Sequence, residues 1–183
     1  MRRHRPPSPT QRKWCGFRRD QRGATALEFA LIATPFIFML MSVFDLGLIY
    51  MAQVSLDSAT AQTARTIRTG QLQKAGGATA STFASSICSN MTWVGTGCSS
   101  KLAVNVQVFT SFSSASSPNP VTNGQFSSTN LTFNAGNAGD IVLVTAYYQW
   151  TPLTPFLSQG LKLLNNGATL LTSSAAFRNE PYS

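Results

Sequence analysis

Few side chains in this sequence can do chemistry, and they are widely spread. The acids are Asp20, Glu28, Asp45, Asp57, Asp140 and Glu180, the single histidine is His4, and the thiols are Cys15, Cys88 and Cys98. No paired-carboxylate motif, glycine-rich phosphate loop or nucleophile elbow is present, and the abundant serines have no base beside them. The sequence therefore points away from an enzyme, and toward neither a cofactor nor a small-molecule substrate. Two other kinds of chemistry remain. One is a thiol pair, Cys88 and Cys98; the other is a pair of carboxylates, Glu28 and Asp45, embedded in an apolar run.

Compartment separates the thiols. Cys15 sits in a basic leader that would face a reducing cytoplasm, whereas Cys88 and Cys98 follow the apolar run, where an oxidising periplasm would let them pair. A bridge over so short a loop stabilises by about 2–3 kcal/mol in the chain-entropy model. A redox or metal site is the alternative, but a metal needs more ligands than two cysteines, and the only histidine lies in the leader. A structural disulfide is the expectation, with no metal.

The element that must position the carboxylates runs from Ala24 to Ala52, ATALEFALIATPFIFMLMSVFDLGLIYMA, with no charge between Glu28 and Asp45. As a helix it extends about 43 Å at 1.5 Å per residue, enough to cross a hydrocarbon core of about 30 Å. It exceeds the roughly 7–15 apolar residues of a secretory signal, and no good cleavage site of that type follows it. Of the formal net charge of +8, the segment before Ala24 carries +7 and the remainder +1. Positive flanks stay inside, so the N-terminus is expected in the cytoplasm and the C-terminal part outside. A nearly neutral body offers no basic face for a phosphate backbone, and no nucleic-acid partner is expected.

Three residues within the run break its pattern. Pro35 removes a backbone hydrogen bond and marks a candidate kink or locally melted turn. Asp45 is an acid well down the run, where insertion costs roughly 2.5–3.5 kcal/mol; it is read either as lying at the outer interface of a tilted helix or as having a specific role. Glu28 follows a distinctive preface, Arg18-Arg19-Asp20-Gln21-Arg22-Gly23 and then Ala24-Thr25-Ala26-Leu27.

Positive charges, a glycine and a glutamate five residues later resemble the cleavage site of type IV prepilins. That resemblance implies Gly23 as the last leader residue, Ala24 as the new N-terminus and Glu28 as the assembly glutamate. An unpaired carboxylate in hydrocarbon needs a cation or a proton, and the new α-amino group of Ala24, of this chain or of a neighbour, is a candidate partner. The alternative is an interfacial glutamate with no partner. More narrowly, RGATALEFALI, Pro35, the Asp45 and Gly47 pair and the Ala/Thr-rich stretch ending near Arg68-Thr69-Gly70 resemble the TadE-like family, minor pseudopilins of the tight-adherence (Flp) pilus system. Residues 175–182, AAFRNEPY, are also similar to the family's C-terminal end. The resemblance implies an aspartate-dependent prepilin peptidase, other pilins or pseudopilins, and pilus assembly proteins as partners.

Beyond the membrane the helix is expected to continue to about Gln73, with Val54, Ala61, Ala64 and Ile67 inward, Asp57, Gln62, Arg65 and Arg68 outward, and Gly76-Gly77 as its stop. Thr79 or Ser81 can cap a short helix with Phe83 and Ile87 one turn apart. Residues 101–112 alternate, with Leu102, Val104, Val106, Val108 and Phe112 on one face and Asn105 and Gln107 on the other. Residues 113–125 read as a loop, 130–133 as a short strand, 134–139 as a turn, 140–150 as a central strand apolar on both faces, and 168–177 as the last strand. The connection 152–164 is unusually apolar; it either fills the core or forms an exposed patch for a partner subunit or the bilayer surface.

The expected organisation is a basic cytoplasmic leader (1–23), a transmembrane helix (24–52), a periplasmic helix extension (53–77) and a periplasmic domain (78–183). The fold class is α+β, a long N-terminal helix on a small antiparallel sheet. The functional expectation is a structural and assembly subunit of the inner membrane, N-terminus inside. The alternative is an uncleaved bitopic protein that binds another envelope component. Cleavage after Gly23 separates the two.

Overall fold

An uninterrupted helix, α1 (Ala24–Arg68), dominates the N-terminal part of the chain. The structure is a computed structural model and describes residues 23–76, 79–91, 97–154 and 164–181. The basic leader before Gly23, with His4 and Cys15, lies outside the described residues, as do 155–163 of the apolar connection. The chain divides into two compact units, Met1–Met41 and Ser42–Ser183, and α1 runs through their boundary.

In the first unit the described residues are the opening turns of α1, and their large apolar side chains are exposed, among them Leu27, Phe29, Ile32, Phe36 and Leu40. Pro35 neither ends nor interrupts the helix. Thr34 Oγ1 donates to the Ala30 carbonyl at 2.7 Å, one residue before the Leu31 carbonyl that Pro35 leaves without its usual donor.

In the second unit α1 acquires a buried stripe. Asp45, Ala52, Leu56, Ala59, Thr60, Thr63, Ala64 and Ile67 are buried at helical spacing. Asp57, Gln62, Arg65 and Arg68 are exposed, as their polarity predicts, but so are Val54 and Ala61, which the pattern had placed inward. An apolar neighbourhood blurs the stripe, because Val54 continues the exposed apolar surface of the preceding turns. The helix also stops at Arg68 and not at Gln73. Gly70 adopts φ 73°, the left-handed region that glycine enters without a Cβ clash, and its N–H returns to the Ile67 carbonyl at 3.0 Å. A single turn, α2 (Gln71–Lys74), follows.

The next helix, α3 (Ala80–Asn90), starts where sequence predicts. Thr79 is its N-cap, and Thr79 and Thr82 exchange side-chain and backbone hydrogen bonds as a capping box. Phe83, Ala84 and Ile87 are buried. After the turn α4 (Cys98–Lys101) comes β1 (Leu102–Phe109). The sheet is completed by β4 (Ile141–Trp150) and β5 (Thr169–Arg178), in the order β1-β4-β5 and antiparallel throughout; between β1 and β4 lies a small hairpin of β2 (Val121–Thr122) and β3 (Gln125–Phe126).

The fold class is thus α+β, an apolar N-terminal helix and a small antiparallel sheet. One core cluster joins Leu56, Ala59 and Ile67 of α1, Phe83 and Ile87 of α3, and Val104, Val106, Val142, Val144 and Leu171 of the sheet. Phe83 meets Phe133 with ring centroids 5.8 Å apart. The excursion between β1 and β4 covers the opposite face of the sheet: Tyr147 donates to the Pro118 carbonyl at 2.6 Å, Ser117 bonds Thr145 at 2.8 Å, and Phe126 lies against Tyr147. β4 is therefore buried on both faces, and its apolar sequence required as much.

Four expectations are corrected here. Asn105, placed outward by alternation, is fully buried, and its Oδ1 accepts the Thr132 N–H at 2.9 Å. Residues 130–133 make only an isolated parallel bridge, Val106 to Phe133, because backbone bonds reach β1 at Val106 alone. The stretch 113–125 is not plain loop: Asn123 and Gly124, at φ 52° and 72°, turn the β2–β3 hairpin. Phe112 has left the strand for a 3-10 turn and is exposed.

Candidate anchoring and assembly site

The start of α1 carries the candidate processing and assembly residues. The α-helical residues of α1 start at Ala24, and Gly23 before it is in 3-10 geometry and exposed. Among the described residues a Cβ on Gly23 would meet no atom within 4 Å. Glu28 lies just over one turn into the helix and is exposed, with Leu27 and Phe29 beside it at 66% and 74% exposure. Among the described residues the one ion pair joins Arg68 to Glu180, and Glu28 has no cation. A carboxylate exposed on an apolar helix surface is accessible to a cation or amine from elsewhere.

From Thr25 onward α1 is long and apolar enough to cross a membrane, by its length and composition. Among the described residues nothing covers that apolar stretch. One such helix near the N-terminus fits a single-pass membrane protein.

Asp45 is the second intramembrane candidate, and its surroundings differ from those of Glu28. It is 1% exposed. Its Oδ2 accepts both the Thr154 N–H at 2.9 Å and the Thr154 hydroxyl at 2.8 Å, across a sequence separation of 109. Oδ1 is buried and has no hydrogen-bond partner among the described residues. The acid within the apolar run is thus folded into the second unit, where it holds the segment that follows β4. Sequence reading singled out Asp45 but not Thr154, since no local pattern links a loop threonine to a helix so distant in the chain.

Cys88 and Cys98 are joined, linking the last turn of α3 to the start of α4. Asn179 is a second residue that sequence reading missed. It is buried, and its Nδ2 donates to the carbonyls of Ala135 and Asn137, both at 2.9 Å, so it pins the 134–139 turn to the end of β5. Among the described residues no cluster of three or more His, Cys, Asp and Glu side chains could hold a metal. The open groove beside α3, lined by Ser81, Ser85, Ser99, Leu131 and Thr132 among others, contains no titratable group.

The family model described as TadE-like protein matches residues 23–65, from Gly23 through the anchor and most of the buried stripe. It is the family that the sequence resembles most strongly over roughly Arg19 to Gln71, a stretch that contains the match. No curated protein and no solved structure matches the chain.

Proposed function

For a chain whose residues 23–65 match the TadE-like family, a structural family associated with the Tad pilus, we propose the role of a pseudopilin: a membrane-anchored structural and assembly subunit of a tight-adherence pilus or related secretion machine. In this reading a prepilin peptidase cuts after Gly23, and Ala24 becomes the mature N-terminus. α1 anchors the chain in the inner membrane with the leader in the cytoplasm and the sheet domain in the periplasm. Other pilins or pseudopilins and pilus assembly proteins are the partners.

The observation that carries the proposal is Glu28, an exposed carboxylate with no cation among the described residues, on a helix that begins at Ala24. Charge complementarity with a newly made α-amino group gives that position a purpose; a neighbouring subunit's amine satisfies the acid and draws two helices together. Apolar side chains exposed around the opening turns of α1 then serve lipid before assembly and other helices after it.

N-terminal sequencing of the protein isolated from membranes tests this, with Gly23→Ala alongside. The expected result is a chain starting at Ala24 that is replaced by the uncut form in the variant. An intact leader in cells with an active prepilin peptidase would overturn the pseudopilin mechanism and leave an uncleaved bitopic protein that acts through its outer domain.

A further inference from the structure

Asp45 stands at a defined level of α1. From Thr25 to Asp45 a helix rises about 30 Å, which is the thickness of a bilayer's hydrocarbon core. At that level the Thr154 N–H and hydroxyl close on Oδ2, so residues 151–154 are held beside the helix. Past Asp45 the exposed surface of α1 remains apolar through Leu46, Tyr50, Met51 and Val54, and Asp57 is the first exposed charge. A tyrosine just outside the core followed by a return to charge is the profile of a headgroup layer.

We propose that the Asp45–Thr154 clasp sets the outer boundary of the membrane and holds the 151–154 segment on the bilayer surface, with Leu153 entering lipid. Leu153 is 69% exposed, while Pro152 and Thr154 on either side are half-buried. A single exposed leucine is ordinary; its attachment to the helix at the hydrocarbon boundary is what directs it to lipid. From Ile141 to Thr154 the sequence has no charged side chain, so nothing in the approach resists contact with the interface. The clasp also withdraws Asp45 from lipid, since two donors of its own chain close on Oδ2. The bilayer is the occupant because the same chain's anchor already lies in it. This inference rests on the membrane-anchored reading above.

The test is site-directed spin labelling of the full chain in a Cys15→Ser background, reconstituted in phosphatidylcholine–phosphatidylglycerol vesicles. Single cysteines replace Phe36 in the anchor, Leu153 in the segment and Thr172 on the exposed face of β5, each probed with oxygen and with a water-soluble nickel chelate. The expected result is high oxygen and low nickel access at 36, the reverse at 172, and nickel access at 153 severalfold below that at 172. Adding Asp45→Ala is expected to raise nickel access at 153. A Leu153 label that reads like 172 while 36 reads as lipid overturns the docking and leaves the anchor intact. Shielding of 153 from both reagents overturns it in favour of a protein contact. A water-like reading at 36 overturns the anchoring itself.

Discussion

Arg68 and Glu180 are tied twice, once through the backbone and once through their charges. The Glu180 N–H donates to the Arg68 carbonyl at 2.9 Å, and Arg68 Nε lies 3.1 Å from Glu180 Oε1. The backbone bond satisfies a carbonyl that the end of α1 leaves without a helical partner. Both side chains are about half exposed, at 54% and 49%, so water and salt screen the pair. Glu180→Gln is therefore expected to cost less than about 1 kcal/mol, seen as a small shift in the denaturation midpoint that added salt erases. A large loss would mean that the charge pair, and not the backbone bond, secures the C-terminal segment.

Removing the disulfide should cost more. Cys88 and Cys98 are separated by 10 in sequence, a loop whose closure is worth about 2–3 kcal/mol in the unfolded-chain model. The Cys88→Ser, Cys98→Ser double variant should unfold at correspondingly lower denaturant, and reduction of the unmodified protein should reproduce the shift. Equal midpoints with and without reductant would show that packing of α3 alone fixes the loop.

Asp45 and Thr154 should behave as a coupled pair. Asp45→Ala strands the Thr154 N–H, and an unsatisfied buried donor costs about 1–3 kcal/mol. Thr154→Val removes the hydroxyl but keeps the N–H, so about 1 kcal/mol is expected. Denaturation of both single variants and the double should give a non-additive cycle. Additive losses would remove the clasp as an energetic unit.

Phe83 offers the plainest packing test. It is fully buried and lies against Phe133, so Phe83→Ala should cost about 3–5 kcal/mol. Phe112, exposed on its 3-10 turn, should tolerate the same change with little loss in the same assay.

Alkaline pH should loosen the face of the sheet that carries Tyr147. Burial pushes its pKa above the ordinary 10.0, while hydrogen bonds from Ser117 and Thr145 oppose this to a lesser degree. The neutral phenol is the form that donates to the Pro118 carbonyl. Below pH 10 both folded and unfolded chains hold the proton and the contribution is complete. Above it the unfolded chain ionises first and binds fewer protons, so stability falls as pH rises. Urea midpoints from pH 8 to 11 should decline at the alkaline end, and Tyr147→Phe should flatten that decline. A Tyr147→Phe curve parallel to that of the unmodified protein would assign the effect to other groups, the buried Tyr148 first.

Legibility followed the range of each interaction. Helical spacing, the Thr79 cap, the alternation of β1 and the two-sided apolarity of β4 are local properties, and the elements formed where they predicted. The end of α1 was misjudged because Gly70 and Gly76 are equally able to stop a helix, and only packing selects between them. Asn105 was misplaced because alternation assumes an open face, whereas residues 115–134 fold over it. A bare Asn-Gly pair did not disclose the hairpin around Asn123, set in a stretch of serine, proline and asparagine that reads as loop.

By itself the sequence determined the apolar helix, the uneven charge and the position of Glu28 after Gly23, and it led to the expectation that Cys88 pairs with Cys98. Each depends on composition or on neighbours within a few turns. Tertiary structure alone decided what becomes of Asp45. An acid in an apolar run has several possible fates, and the choice depends on which donor reaches it. Here that donor is Thr154, brought to the helix by the path of the chain through β1, β4 and the turn that follows, a closure that no local spacing encodes.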